Sequence, residues 1–174
     1  MKHVLGMALL VSLMGVVSAC DDSPTDPTDE TVTFTAQLSP ANEVPPVSNA
    51  ESTGSGTAII QIDVDRDSAG AITAATANFQ VTLTGFPAGT PLAAAHIHTG
   101  AAGANGPVLI NTGLAANEVT LTNGTGGFTR NGVSVTGDGL AQVQAIINTP
   151  ANFYFNVHSV QNPGGVARGQ LVKQ

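Results

Sequence analysis

Alternation of apolar and polar side chains with a period of two runs through most of this chain, and that period commits it to strands. Val32, Phe34, Ala36 and Leu38 fall on one face of an extended segment, while Thr31, Thr33, Thr35 and Gln37 fall on the other. Ala58, Ile60, Ile62 and Val64 repeat the pattern. After a turn over 65–70, Ala75, Ala77, Phe79, Val81 and Leu83 return against Thr76, Asn78, Gln80, Thr82 and Thr84, which predicts a hairpin. Further short strands are expected over 92–98, 108–111, 128–135, 152–160 and 166–172, separated by Gly- and Asn-rich turns. The expected fold is all-β: an antiparallel, Greek-key-like β-sandwich. One short helix is admitted where Leu140, Val143, Ile146 and Ile147 stand at helical spacing, with Asp138 placed to accept backbone hydrogen bonds at its start and Pro150 beyond its end. A strand reading competes for the same segment.

The alternation begins only after residue 30, and what precedes it reads as targeting. Lys2 and His3 lead an apolar stretch over 4–17, shorter than the roughly 18–20 residues that span a bilayer. Val17-Ser18-Ala19-Cys20 then resembles the lipobox of bacterial lipoproteins, in which the signal is removed and the cysteine carries lipid. That resemblance implies a signal peptide over 1–19 and a lipid anchor on Cys20. The protein would then sit in the cell envelope, periplasmic or on the outer surface, with the membrane as a partner through its acyl chains. Residues 20–30 are an acidic, proline-broken tether, and the domain is expected over 31–174.

Charge then excludes one class of partner. Five Lys+Arg against twelve Asp+Glu give a formal charge of −7, so phosphate backbones find no basic face and a nucleic-acid partner is not expected. Five of those acidic groups (Asp21, Asp22, Asp26, Asp29 and Glu30) belong to the tether, which leaves a domain of low charge.

In such a domain the three remaining histidines stand out. Ala95-His96-Ile97-His98 puts both imidazoles on one face of a strand, and Tyr154, Asn156 and His158 share the polar face of another, opposite Phe153, Phe155 and Val157. Neutral imidazole is a good ligand for copper or zinc, and a set of three with an open position is the form that catalytic metal sites take. The same pattern is equally that of a surface pair bonded to carbonyls, so His96, His98 and His158 are candidate ligands and no more at this point. Arg168, with Asn156 and Tyr154, is a candidate to support that site or to hold an anion. Its plainer reading is a pairing with a carboxylate such as Glu43 or with a backbone carbonyl. Asn42-Glu43-Val44-Pro45-Pro46 reads as a rigid crossover and Asn162-Pro163-Gly164-Gly165 as a turn. Asp63-Val64-Asp65-Arg66-Asp67 only opens like a calcium loop, since Ser68 and Ala74 stand where Gly and Glu are needed. A solvated hairpin end is expected there.

Taken in order, Leu38-Ser-Pro-Ala-Asn-Glu-Val-Pro-Pro-Val47, Ala94-Ala-His-Ile-His98, Asn105-Gly-Pro-Val108, Tyr154 to His158, Asn162-Pro-Gly-Gly165 and Arg168-Gly-Gln-Leu171 resemble the CHRD domain first described in chordin, over roughly residues 32–171. This resemblance implies an extracytoplasmic β-rich module and names no reaction. A second similarity, to the copper/zinc superoxide dismutases, rests on the His-x-His pair, the later Val-His and a Gly-rich turn leading to an arginine. It implies copper on His96, His98 and His158, with Arg168 attracting an anion. The chain departs from that family in lacking a bridging fourth histidine, a zinc cluster and the disulfide. Two readings therefore stand: a lipid-anchored, non-catalytic binding or surface-interaction module, and a three-histidine copper or zinc protein with dismutase-like redox chemistry.

Overall fold

The computed structural model describes Met1 and residues 30–174. The signal segment, Cys20 and nearly all of the tether lie outside the described residues. Ten strands and one helix follow in the order β1 (Glu30–Leu38), β2 (Ser55–Arg66), β3 (Ile72–Thr84), β4 (Thr90–Thr99), β5 (Val108–Asn111), β6 (Thr120–Leu121), β7 (Gly126–Ser134), α1 (Gly137–Asn148), β8 (Phe153–Ser159), β9 (Ala167–Gln170) and β10 (Val172–Lys173). They form two antiparallel sheets, β10-β1-β2-β3-β7 and β5-β4-β8-β9, with β6 paired to β4. The molecule is the all-β sandwich that the alternation predicts, and its chain crosses between sheets in a Greek-key-like path.

The period-two residues explain the packing. Phe34, Ile60, Ile62, Phe79 and Leu83 of the first sheet and Ile97, Phe155 and Val157 of the second are all buried in one core. The rings of Phe79 and Phe155 stack across the gap with centroids 5.8 Å apart. The predicted hairpin is present, with Ile60 opposite Phe79 and Ala58 opposite Val81. At its tip Asp67 Oδ1 accepts from the N–H groups of Ala69 and Ala71, both at 2.9 Å, so the calcium-like run is a hairpin end. Helix α1 buries Val143, Ile146 and Ile147. Its cap differs from expectation. Thr136 is the N-cap and makes no side-chain capping bond, and Asp138 lies in the first turn, where its charge favours the helix dipole without closing a hydrogen bond. Among the described residues no helix is long and apolar enough to cross a membrane.

Two departures bear on the site. The first strand opens at Glu30, and the expected last strand is two pieces, β9 and β10, on different sheets. Their separation lets β9 close one edge of the sandwich against β1, where Ser39 N donates to Arg168 O at 3.1 Å and Arg168 N to Ser39 O at 3.3 Å. A Cβ on Gly169 would stand 2.2 Å from the carbonyl oxygen of Gln37, so this closure requires glycine.

Candidate functional site

Register brings the polar residues of the second sheet into rows. His96 of β4 stands opposite Asn156 of β8, which stands opposite Arg168 of β9. His98, Tyr154 and Gln170 form the next row, and His158 faces Ala94. A bulge between Leu92 and Ala94 reverses the parity of β4. Leu92 lies in the core before it, Ala95 and Ile97 lie in the core after it, and His96 and His98 emerge on the outer face of the sheet.

An outer face would ordinarily meet water, yet Arg168 is 1% exposed, Asn156 2% and His158 8%. The cover is the segment between β1 and β2, which leaves the first sheet and crosses over the second. Arg168 Nε donates to Asn42 O at 2.6 Å, and Asn42 Nδ2 donates back to Arg168 O at 3.1 Å. Asn105 Nδ2 joins this cover to the loop after β4 through Val44 O at 2.9 Å. Asn49 and Glu51 tie its far end to Ser159 and Asn162. The run Asn42 to Pro46 is thus the rigid crossover read from its prolines, and its destination is a roof. A cleft of about 310 Å³ opens between residues 43–49 of the roof and the 161–165 turn.

On the same sheet face the three imidazoles converge, one ring nitrogen from each lying within 4.8 Å of the others. His98 Nδ1 lies 3.1 Å from Gly106 O and His158 Nδ1 lies 2.9 Å from Pro163 O. A carbonyl oxygen only accepts, so both Nδ1 atoms carry the proton and both Nε2 atoms present lone pairs. His96 Nδ1 stands 3.2 Å from His158 Nε2 and, in the absence of another electron-pair acceptor, donates to it. Tyr154 supports the set from one side. Its ring stacks on His98 with centroids 4.9 Å apart, its hydroxyl accepts from Gly106 N at 3.3 Å, and the Arg168 guanidinium carbon lies 4.5 Å from its centroid.

Burial sets the electrostatics. It pushes His96 down to about 4, helped by the charges of His158 and His98. Burial also lowers His98 and His158, each partly opposed by its bond to a carbonyl. The imidazoles are therefore neutral at pH 7. Glu43, 5% exposed, is pushed up to about 7 by burial, with Arg168 and a hydrogen bond with Asn156 pulling the other way. Four buried side-chain atoms among the described residues have no partner: Glu43 Oε1, His98 Nε2, Asn156 Oδ1 and Arg168 Nη2. Glu43 and Asn156 are also close neighbours, because a Cβ on Gly165 (φ +138°) would meet Glu43 Oε2 at 2.5 Å and Asn156 Nδ2 at 2.6 Å.

All six residues singled out for the site, His96, His98, His158, Arg168, Asn156 and Tyr154, lie on this one face. Arg168 bonds to carbonyls, those of Asn42 and Ala104, and to Asn105 Oδ1. Glu43, the carboxylate named as its partner, makes no ion pair with it within 4.0 Å and acts as a nearby charge. The part of Glu43 as a buried wall of the pocket was missed. Its one signal in the sequence was a lone carboxylate between an asparagine and a Val-Pro-Pro run.

No curated protein and no solved structure matches the chain. The family model of the CHRD domain matches residues 34–171, which include most of β1, all of β2 to β9, the roof and every residue singled out for the site. The chain belongs to the CHRD domain family.

Proposed function

We propose that this protein is a lipid-anchored, extracytoplasmic binding module that works without catalysis, and that it binds through the roofed pocket on the outer face of its second sheet. The observation that carries this reading is that all four unpartnered buried side-chain atoms among the described residues belong to the polar face of the second sheet, on His98, Asn156 and Arg168, or to Glu43 of the roof beside it. Leaving such an atom unmet costs about 1–3 kcal/mol, so a fold that gathers four of them is shaped to hold something polar against them. The lipobox-like Val17 to Cys20 and the acidic tether support placement at a membrane surface, with the domain held clear of the lipid.

Fractionation of cells expressing the full chain tests the anchor. The protein is expected with the membranes and open to protease added outside the cytoplasm, and Cys20→Ser is expected to release it in soluble form or leave it unprocessed. Processed Cys20→Ser chain that still sediments with membranes would refute the lipid assignment.

A further inference from the structure

We infer that the ligand of this pocket is a nitrogen-preferring first-row transition metal ion, copper(II) in preference to zinc, held by His96 Nδ1, His98 Nε2 and His158 Nε2. This names the occupant of the pocket and so rests on the pocket being the binding site, but not on the lipid anchor. Three independent features of the site carry it.

The first is lone-pair direction. Gly106 O and Pro163 O hold the Nδ1 protons of His98 and His158, and both Nε2 atoms are left as donors of electron pairs. A carbonyl on the far nitrogen is the usual outer support of a metal-bound imidazole, because it fixes the tautomer and the ring plane. The second is spacing. Metal–nitrogen bonds of about 2.0–2.1 Å put neighbouring ligand nitrogens about 2.9 Å apart in a tetragonal shell and about 3.3 Å apart in a tetrahedral one, and His96 Nδ1 and His158 Nε2 already stand at 3.2 Å. The third nitrogen, within 4.8 Å, completes the set by closing inward. On binding, His96 shifts its proton from Nδ1 to Nε2, and no proton leaves the neutral site from the other two rings.

The third feature is His98 Nε2 itself, buried and unmet by any protein donor. A structural histidine in a satisfied network would have turned or gained a donor there, whereas this one is stacked on Tyr154 and bonded to Gly106 through Nδ1, which leaves Nε2 without a protein partner. The donor set chooses the metal class. Three neutral imidazoles with no thiolate or carboxylate among them suit copper and zinc over calcium or magnesium, and the stability order of divalent ions places copper above zinc.

The test uses the full chain, purified in detergent, stripped with a chelator and titrated with copper(II) or with zinc(II). One copper per chain is expected, with an electron-spin signal showing nitrogen couplings, and copper is expected to displace bound zinc. His96 is the safest ligand to remove, since it is half-buried and its ring has one protein partner. His96→Gln is expected to lower copper affinity by more than about 100-fold, beyond the 10–100-fold typical of losing an outer partner, with an unchanged near-ultraviolet dichroism spectrum. His158→Ala should act in the same direction. Binding well below one equivalent, or full affinity in His96→Gln, would overturn the assignment. Either result would leave the Cys20 fractionation unaffected, so failure of the metal site and failure of the anchor are told apart.

Discussion

Glu43 and the histidines respond to acid in opposite senses, because burial disfavours the charged form of each. His96 has an ordinary value of 6.5 and a folded value of about 4, so between those limits the unfolded chain binds a proton that the folded chain refuses. Its contribution to stability is complete above pH 6.5 and is lost as pH falls toward 4; His98 and His158 share the direction. Glu43 has an ordinary value of 4.5 and a folded value of about 7, so the folded chain keeps a proton that the unfolded chain releases. Its contribution is present below pH 4.5 and is lost as pH rises through about 7. In the metal-free protein the histidines therefore favour unfolding, and Glu43 opposes it, as pH falls from 7 to 5. Glu43→Gln, neutral at every pH, removes the opposing group and should shift the balance toward loss of stability at pH 5. Melting temperatures of both proteins at the two pH values decide it, and a Glu43→Gln protein that loses no more between them than the wild type would contradict the burial that raises Glu43. At this scale the sequence was informative about residue type and face. It was silent on depth, since Tyr154, Asn156 and His158 alternate with apolar residues as a water-facing row does, while every residue of β8 is buried.

The roof is the element that turns an ordinary outer sheet face into a pocket, and Arg168 is its main fastening. The guanidinium reaches Asn42 O, Ala104 O and Asn105 Oδ1, so one side chain ties the roof and the loop after β4 to β9. Arg168→Met leaves three acceptors without their charged donor and is expected to cost about 3 kcal/mol or more. Arg130, whose partner is the exposed Glu118, should cost far less in the same substitution, since a solvent-screened pair contributes little. Limited proteolysis reads the difference, with early cuts expected within residues 43–49 and 101–106 of Arg168→Met and none in Arg130→Met. Simultaneous cutting throughout the sheets would contradict a fastening role. The prolines of 42–46 announced a rigid crossover, but a crossover has two possible directions, and only the pairing of β9 with β8 and its closure on β1 determine that this one runs over the second sheet. The β4 bulge was equally hidden, because a one-residue slip in parity leaves no mark on a run of small residues such as Ala93, Ala94 and Ala95. Strands β6 and β10, two residues each, are too short for any period to show.

Across the whole molecule, alternation was sufficient for the fold, since the residues of the two apolar faces are those of the core. Period-two placement also put His96 with His98 and His158 with Asn156 before any packing was known, although it gave no sign of the buried Glu43. Which strands lie side by side is a matter of long-range pairing, and β4 meets β8 across more than fifty residues of chain. That pairing converts three histidines on two polar faces into one cluster, and the central claim is that the cluster holds a metal. X-ray absorption at the metal edge of the copper-loaded full chain tests it most directly. Three imidazole nitrogens at about 2.0 Å are predicted, with a His158→Ala sample losing one of them. A shell of oxygen ligands without imidazole scattering, or a spectrum unchanged by His158→Ala, would contradict the account.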